Sequence, residues 1–332
     1  MQLTRKQFLK SLLADFALLA LAPLKALANM KPRILQTRRE TLPVTPVPEF
    51  YVEDISGPPK AEVMRSPDWR LKIHGRLSQP LSLSLDEIRA MPSVRQAITL
   101  SCIGNPVGGR ALGNAYWQGV PLSTLLRKAD PDFFSNRLIL RADDGYHESV
   151  PLKKGFHPGA MIAYSMNDQP LTPDHGMPVR LLIPGLYGIK QVKWLREIEI
   201  SRGSYQGYWQ KKGWTQQARV HIFSRIDFPQ NEDALPLRST EIKGIAFAGD
   251  RGIQYVQVST DGERTWFLAE IEKPLSPYSW VFWSYRWTPH SRGEFDISVR
   301  AADQYSGRQE NGSRDPFPSG VDGVHRIRVE IL

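Results

Sequence analysis

Ile98-Thr99-Leu100-Ser101-Cys102-Ile103-Gly104-Asn105-Pro106-Val107-Gly108-Gly109 is the stretch of this sequence that decides the fold. The side chains of Ile98, Leu100 and Cys102 share one parity, which predicts a strand with these three residues on one buried face. The glycines and proline that follow predict a turn in which the backbone approaches a ligand closely. Cys102 is the only cysteine of the chain. On these residues alone it is either a soft-metal ligand or nucleophile at the mouth of a strand, or a small buried apolar side chain.

The composition is that of a folded protein long enough for two domains with cores of their own. The chain has 332 residues, of which 10% are aromatic, and this excludes a disordered protein. A single cysteine excludes an intramolecular disulfide and a thiolate-rich zinc or iron–sulfur site. The sequence has no Cys-x-x-Cys-His motif, so no covalent c-type haem is expected in this chain. The net charge of +9 indicates an evenly solvated excess of basic residues, or a surface for anionic ligands, acidic redox partners or anionic lipids.

Residues 1–28 are predicted to be an export signal. Thr4–Lys10 is basic, Phe16–Leu24 is apolar, and Ala26-Leu27-Ala28 offers small residues for cleavage. The pattern resembles a twin-arginine signal with Lys6 in place of the second arginine, and this implies a periplasmic protein exported in the folded state. The alternative is an uncleaved anchor, for which the apolar run is too short to span a bilayer. Because an exported basic protein rarely meets nucleic acid, no nucleic-acid partner is expected.

Residues 29–228 are predicted to form an α+β domain. Ser84-Leu85-Asp86-Glu87 is a capping box that begins a short helix, and Val120–Leu126 begins another. Further strands are predicted at Trp69–Ile73, Leu138–Arg141, Pro178–Ile183 and Ile198–Ile200. Short helices mixed with strands, without a regular βαβ rhythm, are typical of the α+β class.

Residues 229–332 follow a different pattern. Apolar and polar side chains alternate along Phe295–Val299 and Ile327–Ile331, and Thr260-Asp261-Gly262 ends a strand in a tight turn. Period-two patterning with turns between the strands predicts an antiparallel sandwich of roughly a hundred residues.

The motifs occur in an order that resembles a known family. Ser101-Cys102-Ile103-Gly104-Asn105 resembles the Cys-x-Gly-Asn loop of the sulfite oxidase family of molybdenum enzymes. Ala163–Leu171, Asp174–Arg180 and Pro184–Leu195 resemble the rest of that family's cofactor-binding core. Val256–Trp266 and Arg300-Ala301-Ala302-Asp303 resemble its immunoglobulin-like dimerisation domain. The resemblance implies a sulfite-oxidase-like molybdopterin-binding α+β domain followed by an all-β immunoglobulin-like sandwich.

The resemblance implies roles for particular residues. Cys102 falls on the position that binds molybdenum beside the dithiolene of one pyranopterin, and a soft, electron-donating thiolate suits that role. His175, Arg180 and Lys193 fall on positions that hold the pterin and its phosphate. The full cofactor-binding set is Tyr51, Cys102, Asn105, His175, Arg180, Lys190 and Lys193. The alternatives are a solvated strand edge for the two lysines, and a turn histidine that caps backbone groups for His175.

The family's sulfite pocket is not preserved in this sequence. Val107 and Glu53 stand where the sulfite oxidases of animals and plants carry pocket arginines, and Trp214 aligns with the active-site tyrosine. A buried dianion needs paired cations, and a glutamate repels it. Arg110 is either a relocated pocket cation or an exposed side chain, and Trp214 either shapes an apolar substrate mouth or simply packs. The candidate catalytic residues are therefore Cys102, Trp214 and Arg110.

The sequence thus predicts an exported oxidoreductase with one molybdopterin-bound molybdenum, held through Cys102 and transferring an oxygen atom to or from a small substrate. Without haem in the chain, electrons would pass to a separate carrier such as a cytochrome c. The alternatives are a sulfite dehydrogenase with an altered anion pocket, and a non-catalytic interaction protein of the same fold. The resemblance also implies a homodimer through the C-terminal domain.

Overall fold

A computed structural model of the protein describes residues 41–309 and 312–332. The predicted export signal at residues 1–28 lies outside the described residues and stays a prediction. Within the two described ranges, none of the helices combines the length and the hydropathy that a membrane span requires.

The helices of the described ranges are short and stand between strands. They are α1 (Ala61–Met64), α2 (Leu85–Arg89), α3 (Leu122–Ala129) and α4 (Leu152–Gly155). The predicted capping box is present at α2, because the Ser84 hydroxyl accepts the Glu87 N–H while the Glu87 carboxylate accepts the Ser84 N–H. In α3 the four residues Leu122, Leu125, Leu126 and Ala129 are all buried, and they turn this helix's apolar face into the core.

The first sheet has five strands and forms one wall of the N-terminal core. In spatial order it contains β2 (Leu81–Leu83), β1 (Leu71–Gly75), β10 (Leu195–Ser201), β5 (Arg137–Ala142) and β6 (His147–Pro151). The pair β1–β10 is parallel and the other pairs are antiparallel. Ile73 and Ile198 are paired across the parallel strands and are completely buried, as their apolar character predicts.

The second sheet carries the decisive stretch of sequence. It contains β3 (Val94–Ser101), β4 (Leu112–Pro121), β7 (Met161–Met166) and β8 (Gln169–Pro170), and β9 (Arg180–Leu182) also pairs with β7, along Met161–Ala163. Ile98 and Leu100 on β3 are buried as predicted, but Thr99 is also buried. Its hydroxyl accepts the Trp280 N–H at 2.9 Å, so the polar face of β3 is covered by the C-terminal part of the chain.

The C-terminal part is the predicted sandwich. One of its sheets orders β11 (Phe223–Phe228), β13 (Thr240–Phe247), β17 (Val281–Trp287) and β16 (Glu270–Ile271). The other orders β12 (Asp233–Leu235), β21 (His325–Ile331), β18 (Gly293–Asp303), β14 (Ile253–Ser259) and β15 (Phe267–Leu268). A two-stranded hairpin of β19 (Ser313–Arg314) and β20 (Asp322–Gly323) precedes β21.

The sandwich begins earlier than the sequence pattern indicates. Strand β11 ends at Phe228, so the first sandwich strand precedes the predicted domain boundary at residue 229. Its alternation is hidden in the sequence because Ser224 and Arg225 are polar and yet buried, at 1% and 4% exposure. Apart from this boundary, the α+β domain followed by a sandwich is confirmed.

Candidate active site

A cavity of about 320 Å³ opens beside the end of β3. Most of its wall comes from four separate segments, which are Phe50–Ile55, Cys102–Gly104, the stretch from Asp174 to Arg180, and the stretch from Gly188 to Trp194. Trp209 and Trp214 are also part of the wall. Six of the predicted site residues line it together: Tyr51, Cys102, His175, Arg180, Lys193 and Trp214. Residues far apart in sequence therefore meet at the thiol.

Cys102 is held by its own loop. Its N–H donates to the carbonyl of Ala111 at 2.9 Å, and the Asn105 side-chain carbonyl accepts the Ala111 N–H at 2.8 Å. The Gly104 N–H points at the thiol sulfur, 3.4 Å away. Burial, together with the nearby Glu53 carboxylate, raises the pKa of Cys102. The group is therefore a protonated thiol that loses its proton when a metal binds.

Arg180 is a buried cation at the cavity wall. Its guanidinium donates to the carbonyls of His175 at 3.1 Å and Gln191 at 3.2 Å, while its Nε has no partner among the described residues. Burial lowers the pKa of Arg180 to about 10, so it remains charged at neutral pH. A buried cation that pairs with no carboxylate of the described residues is a site that an anion stabilises.

His175 and Lys193 lie beside this arginine. The His175 Nε2–H donates to the Val47 carbonyl at 3.1 Å, since a carbonyl only accepts, and burial lowers the pKa of His175. Lys193 donates to the Asp174 carbonyl at 3.0 Å and pairs with Asp54 at 3.3 Å. The side of the cavity around Arg180 therefore carries a neutral imidazole and two cations, one of them already paired.

The other predicted site residues lie apart from the cavity wall. Lys190 donates to the Glu148 carboxylate at 2.8 Å, and both side chains are almost fully buried. It therefore joins the 3₁₀ turn Gly188–Lys190 to β6. Asn105 is buried behind the loop with its Nδ2 unpaired, and Arg110 is exposed and does not line the cavity. The cofactor-binding role of Lys190 and the catalytic role of Arg110 stay predictions without support from the cavity lining.

Part of the cavity wall is aromatic. The Trp209 and Trp214 rings lie 6.4 Å apart between centroids, and Trp214 meets the half-exposed Phe317 edge-on at 5.3 Å. Trp214 and Ile189 pack against the buried cluster that contains Ile103, the residue next to Cys102. The apolar wall is therefore continuous with the Cys102 loop.

Some wall residues were not singled out from the sequence. Asp144 lies in the Asp143-Asp144-Gly145 turn, and Tyr146 follows that turn. The Tyr146 hydroxyl donates to the Ile189 carbonyl at 2.6 Å. The local sequence pattern does not indicate this hydrogen bond, because it joins residues 43 positions apart.

The described residues contain no cluster of three or more His, Cys, Asp or Glu side chains placed to hold a metal. Cys102 is therefore at most a single thiolate ligand, and the other ligands of a metal bound there come from outside such a cluster.

Comparison with known families gives two matches. A family model described as "Oxidoreductase molybdopterin binding domain" matches residues 57–209. A second, described as "Mo-co oxidoreductase dimerisation domain", matches residues 215–312. Together they cover most of the sandwich and most of the cavity lining, apart from Phe50–Ile55 and Trp214.

Similar whole proteins include mitochondrial sulfite oxidases and a nitrate reductase. The chain is 30% identical to the sulfite oxidase of Rattus norvegicus, an alignment that covers 87% of the chain and 62% of that protein. It is 28% identical to the sulfite oxidase of Drosophila melanogaster, over 87% of the chain and 59% of that protein. It is 27% identical to the NADH nitrate reductase of Solanum lycopersicum, over 73% of the chain and 33% of that protein. The chain thus spans less than two thirds of the length of these relatives.

A solved structure has the same fold. The crystal structure of the sulfane dehydrogenase SoxCD from Paracoccus pantotrophus matches with a TM-score of 0.74 at 20% identity, covering 94% of this chain and 92% of that one.

The cavity residues fit a molybdenum held on a pterin with a phosphate. The lone thiol of Cys102 supplies one protein ligand, and Arg180, which lines the same cavity, has an Nε without a hydrogen-bond partner among the described residues. Lys193 adds a second cation on the same wall. The donor set is therefore suited to a group that is anionic at one end and carries a metal at the other.

Proposed function

Since the chain belongs to the sulfite oxidase family of molybdopterin-dependent oxidoreductases, we propose that it transfers an oxygen atom to or from a small substrate in a two-electron reaction. The observation that carries the proposal is the convergence of Cys102, Arg180 and Lys193 on one cavity. Written as an oxidation, substrate and water give the oxygenated product, two protons and two electrons, and the electrons leave on a separate acceptor.

The cofactor, when bound, supplies a metal whose oxidation states differ by two electrons. The chain's residues bind and orient it. Cys102 holds the metal, Arg180 and Lys193 neutralise the phosphate, and His175 donates to backbone from a fixed ring position. Trp209 and Trp214 exclude bulk water from the thiol side of the cavity.

A second candidate is a sulfite dehydrogenase with an altered anion pocket. It is favoured by the similarity to mitochondrial sulfite oxidases. It is opposed by Glu53, which lines the cavity and acts on the Cys102 thiol as a negative charge. Sulfite would meet a carboxylate where a cation is required, so we rank this candidate second.

We also propose that the protein works outside the cytoplasm and delivers its electrons to a separate carrier such as a cytochrome c. The predicted signal at residues 1–28 and the folded-state export that it implies support the location. The description of the model that matches residues 215–312 supports a homodimer.

The test is a turnover assay on protein purified from its native host, with ferricyanide as the one-electron acceptor for oxidations and reduced methyl viologen as the donor for reductions. Sulfite, nitrate and uncharged lone-pair donors with their oxides are the probes. We expect turnover with at least one probe and its loss in Cys102→Ser. Full redox activity in Cys102→Ser would overturn the proposal.

A further inference from the structure

The back of the Cys102 loop rests on the sandwich. We call residues Val107–Gly109 the loop back. Gly108 has φ +70°, and a Cβ there would lie 2.3 Å from Nε2 of His325 at the start of β21. A Cβ at Gly323, in the preceding hairpin, would lie 3.3 Å from the Val107 side chain. The loop back is therefore packed so closely on two sandwich segments that Gly108 leaves no room for a side chain.

Arg225 of β11 binds the loop back directly. Its Nη1 donates to the Gly109 carbonyl at 2.8 Å, and its Nε pairs with Asp227 at 2.6 Å. Thr41 donates to the same Asp227 at 2.8 Å. Arg225 is 4% exposed, so a charge-assisted hydrogen bond holds the loop back in a buried site.

His325 completes the contact. Its Nδ1 accepts the Ile226 N–H at 3.0 Å, which leaves the proton on Nε2, beside Gly108. The ring is half-buried and neutral, because partial burial lowers the pKa of His325, and its position is fixed by β11. Two adjacent residues of one sandwich strand, Arg225 and Ile226, thus set both contacts to the loop back.

The loop back is connected to the thiol through few bonds. The Asn105 side-chain carbonyl lies where a Cβ on Gly109 would clash at 2.3 Å, and it accepts the Ala111 N–H. The Ala111 carbonyl in turn accepts the Cys102 N–H. A displacement of Gly109 is therefore passed to Cys102 through Asn105 and Ala111.

We propose that Arg225 and His325 are positioning residues, through which the sandwich sets the place of the Cys102 sulfur. The sandwich is then a structural part of the active site in addition to any role in dimerisation. The inference rests on the proposed function only for what the thiol binds, because the contacts themselves belong to this chain.

The test compares Arg225→Gln with Arg251→Gln in the full-length chain. Arg251 is the matched control, since it is also a buried arginine paired with a carboxylate, Asp303 at 2.5 Å, and bonded to a backbone carbonyl, that of Val220. We expect amide hydrogen exchange of residues 102–111 to rise about tenfold or more in Arg225→Gln and to be unchanged in Arg251→Gln. In protein loaded with molybdenum, Arg225→Gln should alter the molybdenum EPR spectrum and lower kcat more than it raises KM.

Equal exchange in the two variants, or a rise spread over the whole chain in Arg225→Gln, would overturn the inference. If Arg225→Gln does not fold, Gly108→Ala disturbs the packing of the loop back on His325 from the loop side. It should raise amide hydrogen exchange over the same residues. The exchange measurement is also made on cofactor-free chain, so it reports on positioning even if the wild type proves to bind no molybdenum.

Discussion

At the scale of single residues, Arg180 is a binding-site residue whose burial lowers the free energy of unfolding of the cofactor-free protein. A buried guanidinium without a carboxylate partner among the described residues is costly, whereas cations elsewhere, such as Arg141 with Glu199 at 2.7 Å, are paired. The cost is removed when an anion occupies the cavity.

We therefore predict opposite effects of Arg180→Met on stability and on cofactor binding. The cofactor-free variant should melt a few degrees above the cofactor-free wild type, by roughly 2–4 °C, because the buried charge is gone. Its molybdenum and pterin content after expression should fall about tenfold or more. Differential scanning calorimetry and elemental analysis make the two measurements. Arg141→Met is the control, and a lower melting temperature in cofactor-free Arg180→Met would contradict the account.

Glu53 lines the cavity and acts on the Cys102 thiol as a negative charge, and our proposal ranks an anionic substrate second for this reason. We predict that Glu53→Arg raises kcat/KM for sulfite by about one to two orders of magnitude, because an attractive charge replaces a repulsive one beside the thiol. Steady-state kinetics with ferricyanide measures this. Glu62→Arg, an exposed site on α1, makes the same charge change away from the cavity and should leave the value unchanged. No gain in Glu53→Arg would show that the missing cation is not what limits sulfite.

Sequence reasoning reached some of these residues and could not reach others. Cys102, Arg180 and Lys193 follow from ordered motifs, and the structure brings them to one cavity. Lys190 lies in a motif that equally predicts cofactor binding. It instead forms a buried ion pair with Glu148, which is 42 positions away in the sequence. Such a pairing depends on which strands lie side by side, and no local pattern contains that information.

At the scale of elements, β11 and β21 are joined by a hydrogen bond to a histidine that can take up a proton, from the Ile226 N–H to the His325 ring. Burial, with the charge of Arg225, lowers the pKa of His325 to about 4 from an ordinary 6.5. Between these two values the unfolded chain binds more protons than the folded one, so acidification favours unfolding. Stability from this residue is fully present above pH 6.5 and is lost as the pH falls toward 4.

We predict that His325→Asn makes the free energy of unfolding depend less on pH between pH 4 and 6.5. The asparagine carbonyl still accepts the Ile226 N–H but binds no proton, so up to about 3 kcal/mol of acid destabilisation should disappear between pH 6.5 and 4. Urea unfolding at several pH values gives the slope. The same substitution at exposed His290 is the control and should keep the wild-type slope. Parallel curves for His325→Asn and wild type would refute the role of His325.

Element boundaries followed from the sequence where polarity and burial agree. The capping box at Ser84 and the apolar face of α3 were readable because each uses neighbours within one or two turns. Strand β11 was not, because its buried polar residues Ser224 and Arg225 serve contacts with other segments. Strand β11 thus departs from apolar–polar alternation at the residues that hydrogen-bond to other segments.

At the scale of the whole molecule, the fold class and the domain order were predictable, and the joint between the domains was not. Thr99 donates its backbone N–H to the Tyr278 carbonyl at 3.0 Å, and Arg225 holds Gly109, so sandwich segments brace β3 and the loop that follows it. Neither contact can be predicted from the local sequence pattern, because each joins residues more than a hundred positions apart. The candidate active site is consequently positioned by both parts of the described chain rather than by the first domain alone.

The central claim is that one molybdenum is held through Cys102, and its most direct test is the molybdenum content per chain. Elemental analysis of protein purified from its native host should give about one molybdenum per chain in the wild type and close to none in folded Cys102→Ser. Arg292→Ser, a change at an exposed position of the sandwich away from the cavity, is the control and should keep the wild-type content. A folded wild-type protein without molybdenum, or a Cys102→Ser variant with its full complement, would contradict the account.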